Sequence, residues 1–295
     1  MFALLLGQHF VQTGLIAAAV VAVVAGAIGP FVISRNMSFA VHAFAELGFT
    51  GAAAALLLGL DPTYGVLGGS FLVAGLVGGL GLRGRERDSV IGTVLAFGLG
   101  IGVLLLTLYH HYANAAVHLL FGDILTVSPA ELRLLVIMAV LALTGLALLY
   151  RPLLFASVDP DVAEARGAPL RLLSIAFLCL LALAVAAAVQ AVGVLLILSL
   201  VITPAAAAQR LTHRPGAAIA VSIGLALVAA DGGILLALLH PAWPPSFFIT
   251  SVSFVCYLAA RLAGGRLQAR ARDRLRARGS DGERRIDGAR VEAPA

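Results

Sequence analysis

The chain has 295 residues, of which 61% are hydrophobic and 12% charged, with a mean hydropathy of +1.02 and a formal net charge of +5. A soluble domain of this size is about half apolar and about a quarter charged, so the composition excludes a water-soluble globular protein. Most of the net positive charge falls in the last thirty-odd residues, and the cytoplasmic charge bias of membrane proteins accounts for it without nucleic acid as a partner.

A helix needs about 20 apolar residues to cross the hydrocarbon. That window predicts nine spans, near 10–33, 38–60, 62–82, 90–110, 131–150, 171–190, 192–209, 215–238 and 246–263. If 171–209, which has no charged break, is one span, the count is eight. The start, MFALLLGQHF, has no basic n-region and no cleavage site, so no separate signal peptide is expected. The fold class is therefore an all-α polytopic membrane bundle over residues 1–263. Residues 264–295 form a basic, partly disordered cytoplasmic tail. The arginine-rich first part of that tail suits either anionic headgroups or solvent.

Inside the second span, His42 and Glu46 lie four residues apart, and positions i and i+4 share a helix face. Ionisable groups within a span are costly and usually functional. A neutral imidazole and a carboxylate suit zinc, manganese or iron(II). The competing reading is a mutually satisfied His–Glu hydrogen bond that holds two helices together. Asp61-Pro62 then starts the next helix without losing a needed N–H. The third span is dense in glycine. Gly65/Gly69 and Gly75/Gly79 are small-xxx-small pairs that let helix backbones approach closely.

After the fourth span, His110, His111 and His118, with Asp123 beyond them, mark an outer mouth where metal could collect. The bland alternative is a set of interfacial histidines. Between the fifth and sixth spans, residues 157–169 read SVDPDVAEARGAP. Asp159 is a good N-cap, Pro160 fits the first helical position, and Asp161 and Glu164 favour the positive end of the helix dipole. Arg166 favours the other end, and Gly167 is a natural C′ residue with Pro169 as a stop. This two-turn helix, with Val162 and Ala163 at its centre, either docks a cytoplasmic motor or lies at the interface without a partner. In the eighth span Asp231 is a lone intramembrane acid. It either lines a path or bonds a neighbouring backbone. Cys179 and Cys256 fall in apolar runs without CxxC spacing and read as packing residues.

Arginine placement orients the chain. With the loop at 83–88 in the cytoplasm, Arg35, Arg151, Arg166, Arg171, Arg210, Arg214 and the tail also fall inside, and only Arg133 falls outside. The positive-inside rule then places the N-terminus outside and the C-terminus inside. The chain contains no lysine, and a P-loop requires one. Any ATP that drives this protein is therefore hydrolysed by a separate subunit.

Three stretches resemble the manganese/zinc/iron permease family of ABC transporters. They are RNMS at 35–38 leading into the span with the polar pair and Gly51, FGDILTVS at 121–128, and GVLLILSLVITPAAAAQRLT at 193–212. The likeness runs from about residue 10 to 260. It implies a permease in the cell membrane that is a homodimer, or occasionally a heterodimer. The implied partners are cytoplasmic ABC ATPase subunits seated on the 159–168 helix and an extracytoplasmic metal-binding protein. The implied substrate is a divalent metal, with no cofactor. Family members place the acid first and the histidine four residues later, whereas here His42 precedes Glu46, so the same ligand types are exchanged by one turn. A permease for a metal chelate and a secondary transporter are the alternatives, although a secondary transporter usually shows internal repeats with broken helices, and no convincing repeat is evident. A membrane enzyme would need a catalytic cluster such as HExxH, which is absent from the sequence.

Overall fold

The computed structural model describes residues 8–80, 85–109, 119–120, 122, 124–212, 214–240 and 242–265. His110, His111, His118 and Asp123, together with the tail from residue 266, lie outside the described residues.

Ten helices are described: α1 (His9–Ser34), α2 (Ser38–Leu57), α3 (Pro62–Leu80), α4 (Arg85–Thr107), α5 (Pro129–Val158), α6 (Pro160–Ala165), α7 (Leu170–Val192), α8 (Ile197–Leu211), α9 (Pro215–Leu239) and α10 (Pro245–Gly265). The described residues contain no strand. Eight of the helices are long and apolar enough to cross a membrane, α8 being a shorter apolar helix and α6 a two-turn connector. Arg35 at the end of α1 bonds Ser174 near the start of α7, Gln209 near the end of α8 reaches Pro30, Gly264 packs on Arg210, and Asp161 of α6 shares a cavity with Arg35, so these termini and α6 lie at one end of the bundle. The Asp61 turn and Ser128 lie at the far end.

Burial separates centre from periphery. Within their apolar windows α1, α2 and α7 are 61–72% buried, whereas the other five long helices are 22–33% buried. The centre is rich in alanine, with Ala17, Ala18, Ala43, Ala45, Ala182 and Ala186 fully enclosed, because small side chains let helix backbones come close. The outer faces show large apolar side chains such as Phe97 and Leu148. That arrangement suits a bilayer, where the solvent itself is apolar.

The α2–α3 contact rests on the glycines. A Cβ on Gly65 would collide with the carbonyl of Gly51, and one on Gly69 with that of Leu47. The expected tight packing is therefore present at Gly65/Gly69. It is absent at the second pair, where Gly75 and Gly79 have nothing within 4 Å of a built Cβ, and Gly78 meets Ile175 instead.

Two spans differ from the sequence expectation in extent. Helix α5 has 30 residues, about 45 Å at 1.5 Å per residue, and so carries the chain well past the predicted end at 150. Its start is fixed by a capping box, with Glu131 N donating to Ser128 Oγ at 3.2 Å and Ser128 N to Glu131 Oε2 at 2.7 Å. The uncertain split at 192 is real. The chain breaks at Gly193, with φ +82° and ψ 165°, a conformation open essentially to glycine alone. Helix α8 then returns with 15 residues, about 22 Å.

Candidate functional site

The turn between α1 and α2 fixes where the polar pair begins. Asn36 adopts φ +53°, which asparagine tolerates better than other side-chain-bearing residues. Asn36 N donates to Ile33 O at 3.0 Å and Met37 N to Val32 O at 2.8 Å, the two bonds of a Schellman motif. Met37 is buried beneath the turn, and α2 starts at Ser38. This gives the RNMS segment a physical role as a rigid reversal between two buried helices.

One turn into α2, His42 Nε2 stands 3.7 Å from Glu46 Oε1. That separation is too long for a hydrogen bond. His42 Nδ1 and Glu46 Oε2 are both buried and have no hydrogen-bond partner. Both residues belong to the same helix. The contact between them is an i, i+4 ion-pair contact within one helix. Two atoms of metal-ligating type therefore lie within the span without a protein hydrogen-bond partner. The carbonyl of Glu46 lies 3.1 Å from Thr50 Oγ1, which also reaches Gly98 O of α4 at 2.7 Å and ties the two helices together just beyond the pair.

Asp231 sits midway along α9 with Oδ1 buried and without a hydrogen-bond partner. Its helix packs chiefly on α1 and α8, whereas α2 packs chiefly on α3 and α4. Among the described residues no group of three His, Cys, Asp or Glu could hold a metal. His42 and Glu46 therefore stand together, and Asp231 is not gathered with them.

Helix α6 matches its sequence reading closely. Val162 N donates to Asp159 Oδ1 at 3.0 Å, and Pro160 opens the helix. Gly167 has φ +80°, and Gly167 N and Ala168 N donate to Glu164 O and Ala163 O at 2.9 and 3.0 Å. Asp159 also ends α5, so α6 follows that helix with no linker. Asp161, Val162, Glu164, Arg166 and Gly167 are exposed. Ala163 is fully buried, so it seats α6 on the bundle and does not contribute to the outward face.

Sequence reasoning missed a cavity of about 310 Å³ at the far end, lined by Asp61, Thr63, Thr126, Glu131 and Gln190. Asp61 and Glu131 had been visible only as a turn residue and a residue at the edge of a span. It also missed the meeting of two motif glycines. Gly122 of the FGDIL segment has φ +68°, and its built Cβ would fall 2.6 Å from Gly193 N. Val194 N and Leu195 N donate to the carbonyls of Leu119 and Leu120 at 3.3 and 3.1 Å, so the break before α8 is stitched to the segment that precedes α5.

A bundle of eight long apolar helices with an ionisable pair inside one span and an exposed, doubly capped helix at one end has the architecture of a multi-pass membrane protein. The sequence profile of the ABC 3 transport family matches residues 7–263, and the chain belongs to that family. It is 30% identical over 237 residues to the manganese transport system membrane protein MntC of Halalkalibacterium halodurans, covering 80% of this chain and 81% of that one. Over 234 residues it is 31% identical to the manganese import system permease protein ScaB of Streptococcus parasanguinis, covering 77% and 81%. Among solved structures it resembles PsaBC from Streptococcus pneumoniae in complex with Fab, with a TM-score of 0.79 and 28% identity over 88% of this chain and 94% of that one.

Proposed function

We propose that this chain is the membrane-spanning subunit of an ABC importer for divalent metal ions, with manganese, zinc and iron(II) as the candidate substrates. The observation that carries the reading is the His42–Glu46 pair, a borderline and a hard donor one turn apart inside a span, each with a buried atom lacking a partner. Membership of the ABC 3 transport family and likeness to manganese permeases support it.

Metal enters from the extracytoplasmic side, handed over by a binding protein, and passes the two carboxylates of the far-end cavity. At the pair it is held by two protein ligands. Such a site is incomplete, and weak holding is what a conduction path needs, because an ion bound too tightly does not leave. A second copy of the chain, in a homodimer, supplies further ligands. Asp231 serves the path at a separate level. Work is delivered at the opposite end, where the exposed face of α6 receives an ATPase subunit. Arg35, Arg171, Arg210 and Arg214 lie at the α6 end and Arg133 at the far end, so the α6 end is cytoplasmic, with the N-terminus outside and the C-terminus inside.

The test is metal uptake by the permease reconstituted with its ATPase and binding protein in proteoliposomes, for wild type and for His42→Gln and Glu46→Gln. Uptake that depends on ATP and falls in both variants at equal assembly is expected. Wild-type rates in both single variants and the double variant would remove the pair from the mechanism.

A further inference from the structure

We infer that Arg35 is a positioning residue that transmits movement of the docking helix α6 to the metal-pair helix α2. This rests on the transport reading above and extends it to a residue outside both the His42–Glu46 pair and α6.

Three short joints connect the two helices. The first links α6 to α7, where Ala168 N donates to Ala163 O at 3.0 Å and Leu170 N to Ala168 O at 2.8 Å. Helix α7 starts at Leu170, so its first turn moves with α6. The second joint is Arg35 itself. Its Nη2 donates to Ser174 Oγ in that early part of α7 at 2.8 Å. The guanidinium carbon also stands 5.3 Å from the ring centroid of Phe177, one turn further along α7. Phe177 is fully buried and touches Phe31 of α1, which meets Tyr150 of α5 edge-on at 5.9 Å. Arg35 is thus held against α7 by a hydrogen bond and a cation–π contact at once, a combination suited to the planar guanidinium.

The third joint is the Schellman turn. Arg35 is the C-cap of α1, and only Asn36 and Met37 separate it from α2. Both of those N–H groups are bonded back to α1, which leaves the turn little freedom to absorb a displacement. His42 follows in the second turn of α2. Coupling between distant sites travels through packed side chains and hydrogen bonds of this kind. Space for movement is present beside the link, in a cavity of about 670 Å³ lined by Arg35, Asn36, Asp161, Glu164, Arg171 and Ser174. Residues of α6 and of the α1–α2 turn both line that cavity.

The experiment uses the full permease with its ATPase and binding protein in proteoliposomes, with manganese(II) as the probe, and reads manganese moved per ATP hydrolysed. Arg35→Met keeps the apolar stem but removes charge and donor. Its ratio is expected to fall about 10-fold, within the usual range of coupling between sites, while subunit assembly and ATP hydrolysis persist. Arg35→Lys, which retains a donor for Ser174, is expected to recover part of the ratio. Ser174→Ala, which leaves Arg35 intact, is expected to lower it less than Arg35→Met does, and it decides the matter if Arg35→Met does not assemble. An unchanged ratio in Ser174→Ala and Arg35→Met, or a fall in assembly with the ratio preserved, overturns the inference. A wild-type complex that moves no manganese, zinc or iron(II) overturns the transport reading instead, and the inference with it.

Discussion

Gly122 presses on the backbone of Gly193 so closely that a Cβ at Gly122 would lie 2.6 Å from Gly193 N, and both residues have positive φ. The contact joins the segment ahead of α5 to the break between α7 and α8. It explains why two separate sequence motifs each carry a glycine there. Gly122 cannot take a side chain without moving the Val192–Gly193 backbone, and Gly193 holds a conformation that residues with side chains avoid.

Gly122→Ala is expected to be the more damaging of the two substitutions. The φ and ψ of Gly193 fall in a region that costs about 1–3 kcal/mol for other residues. Gly122→Ala meets a clash as well as the roughly 1–2 kcal/mol of a left-handed conformation. Thermal unfolding of the purified protein in detergent reads both. Because the residues touch, the double variant should lose less than the sum of the singles. Wild-type stability in either single variant would show that the junction relaxes freely.

The metal pair makes a prediction about shape as well as size. Losing even an outer-shell partner of a metal ligand costs roughly 10–100-fold, so His42→Gln and Glu46→Gln should each cut metal uptake by at least about 10-fold. Groups that act as a unit are non-additive, and the double variant should fall little below the worse single one. Multiplicative losses in the double variant would mean that the two side chains serve different steps.

On α6 the exposed and buried positions should separate cleanly. Val162→Arg and Arg166→Glu alter the outward face and should reduce co-purification of the ATPase while the permease keeps its thermal stability. Ala163→Leu forces a larger side chain into a filled site, where overpacking costs about 1–3 kcal/mol, and should lower stability first. Asp159→Ala removes the N-cap and should cost about 1 kcal/mol. Retention of the ATPase by both outward-face variants would reduce α6 to a connector.

Topology can be read in intact cells with a membrane-impermeant maleimide, after Cys179 and Cys256 are replaced by serine. The Ala130→Cys variant, at the start of α5, should be labelled. The Glu164→Cys variant, on exposed α6, should be protected until the membrane is opened. The reverse pattern would turn the bundle over and place α6 on the wrong side for an ATPase.

The sequence alone determined the solvent, the all-α class and the caps of α6. A run of about 20 apolar residues must form a helix in a bilayer because its backbone can bond only to itself. Asp159 and Gly167 announce the ends of α6 because capping depends on residues a few positions apart. The His42–Glu46 spacing was legible for the same reason, being a relation within one helix. Tertiary structure decided the rest, since it depends on which helix faces meet. Only packing distinguishes Gly65 and Gly69, pressed on α2, from Gly75 and Gly79, which have the same spacing but open space where a Cβ would stand. Only packing assigns Ala163 inward, stacks Arg35 on Phe177 across 142 positions of chain, and brings Gly122 against Gly193. Those relations join residues far apart in the chain, and local periodicity carries no information about them.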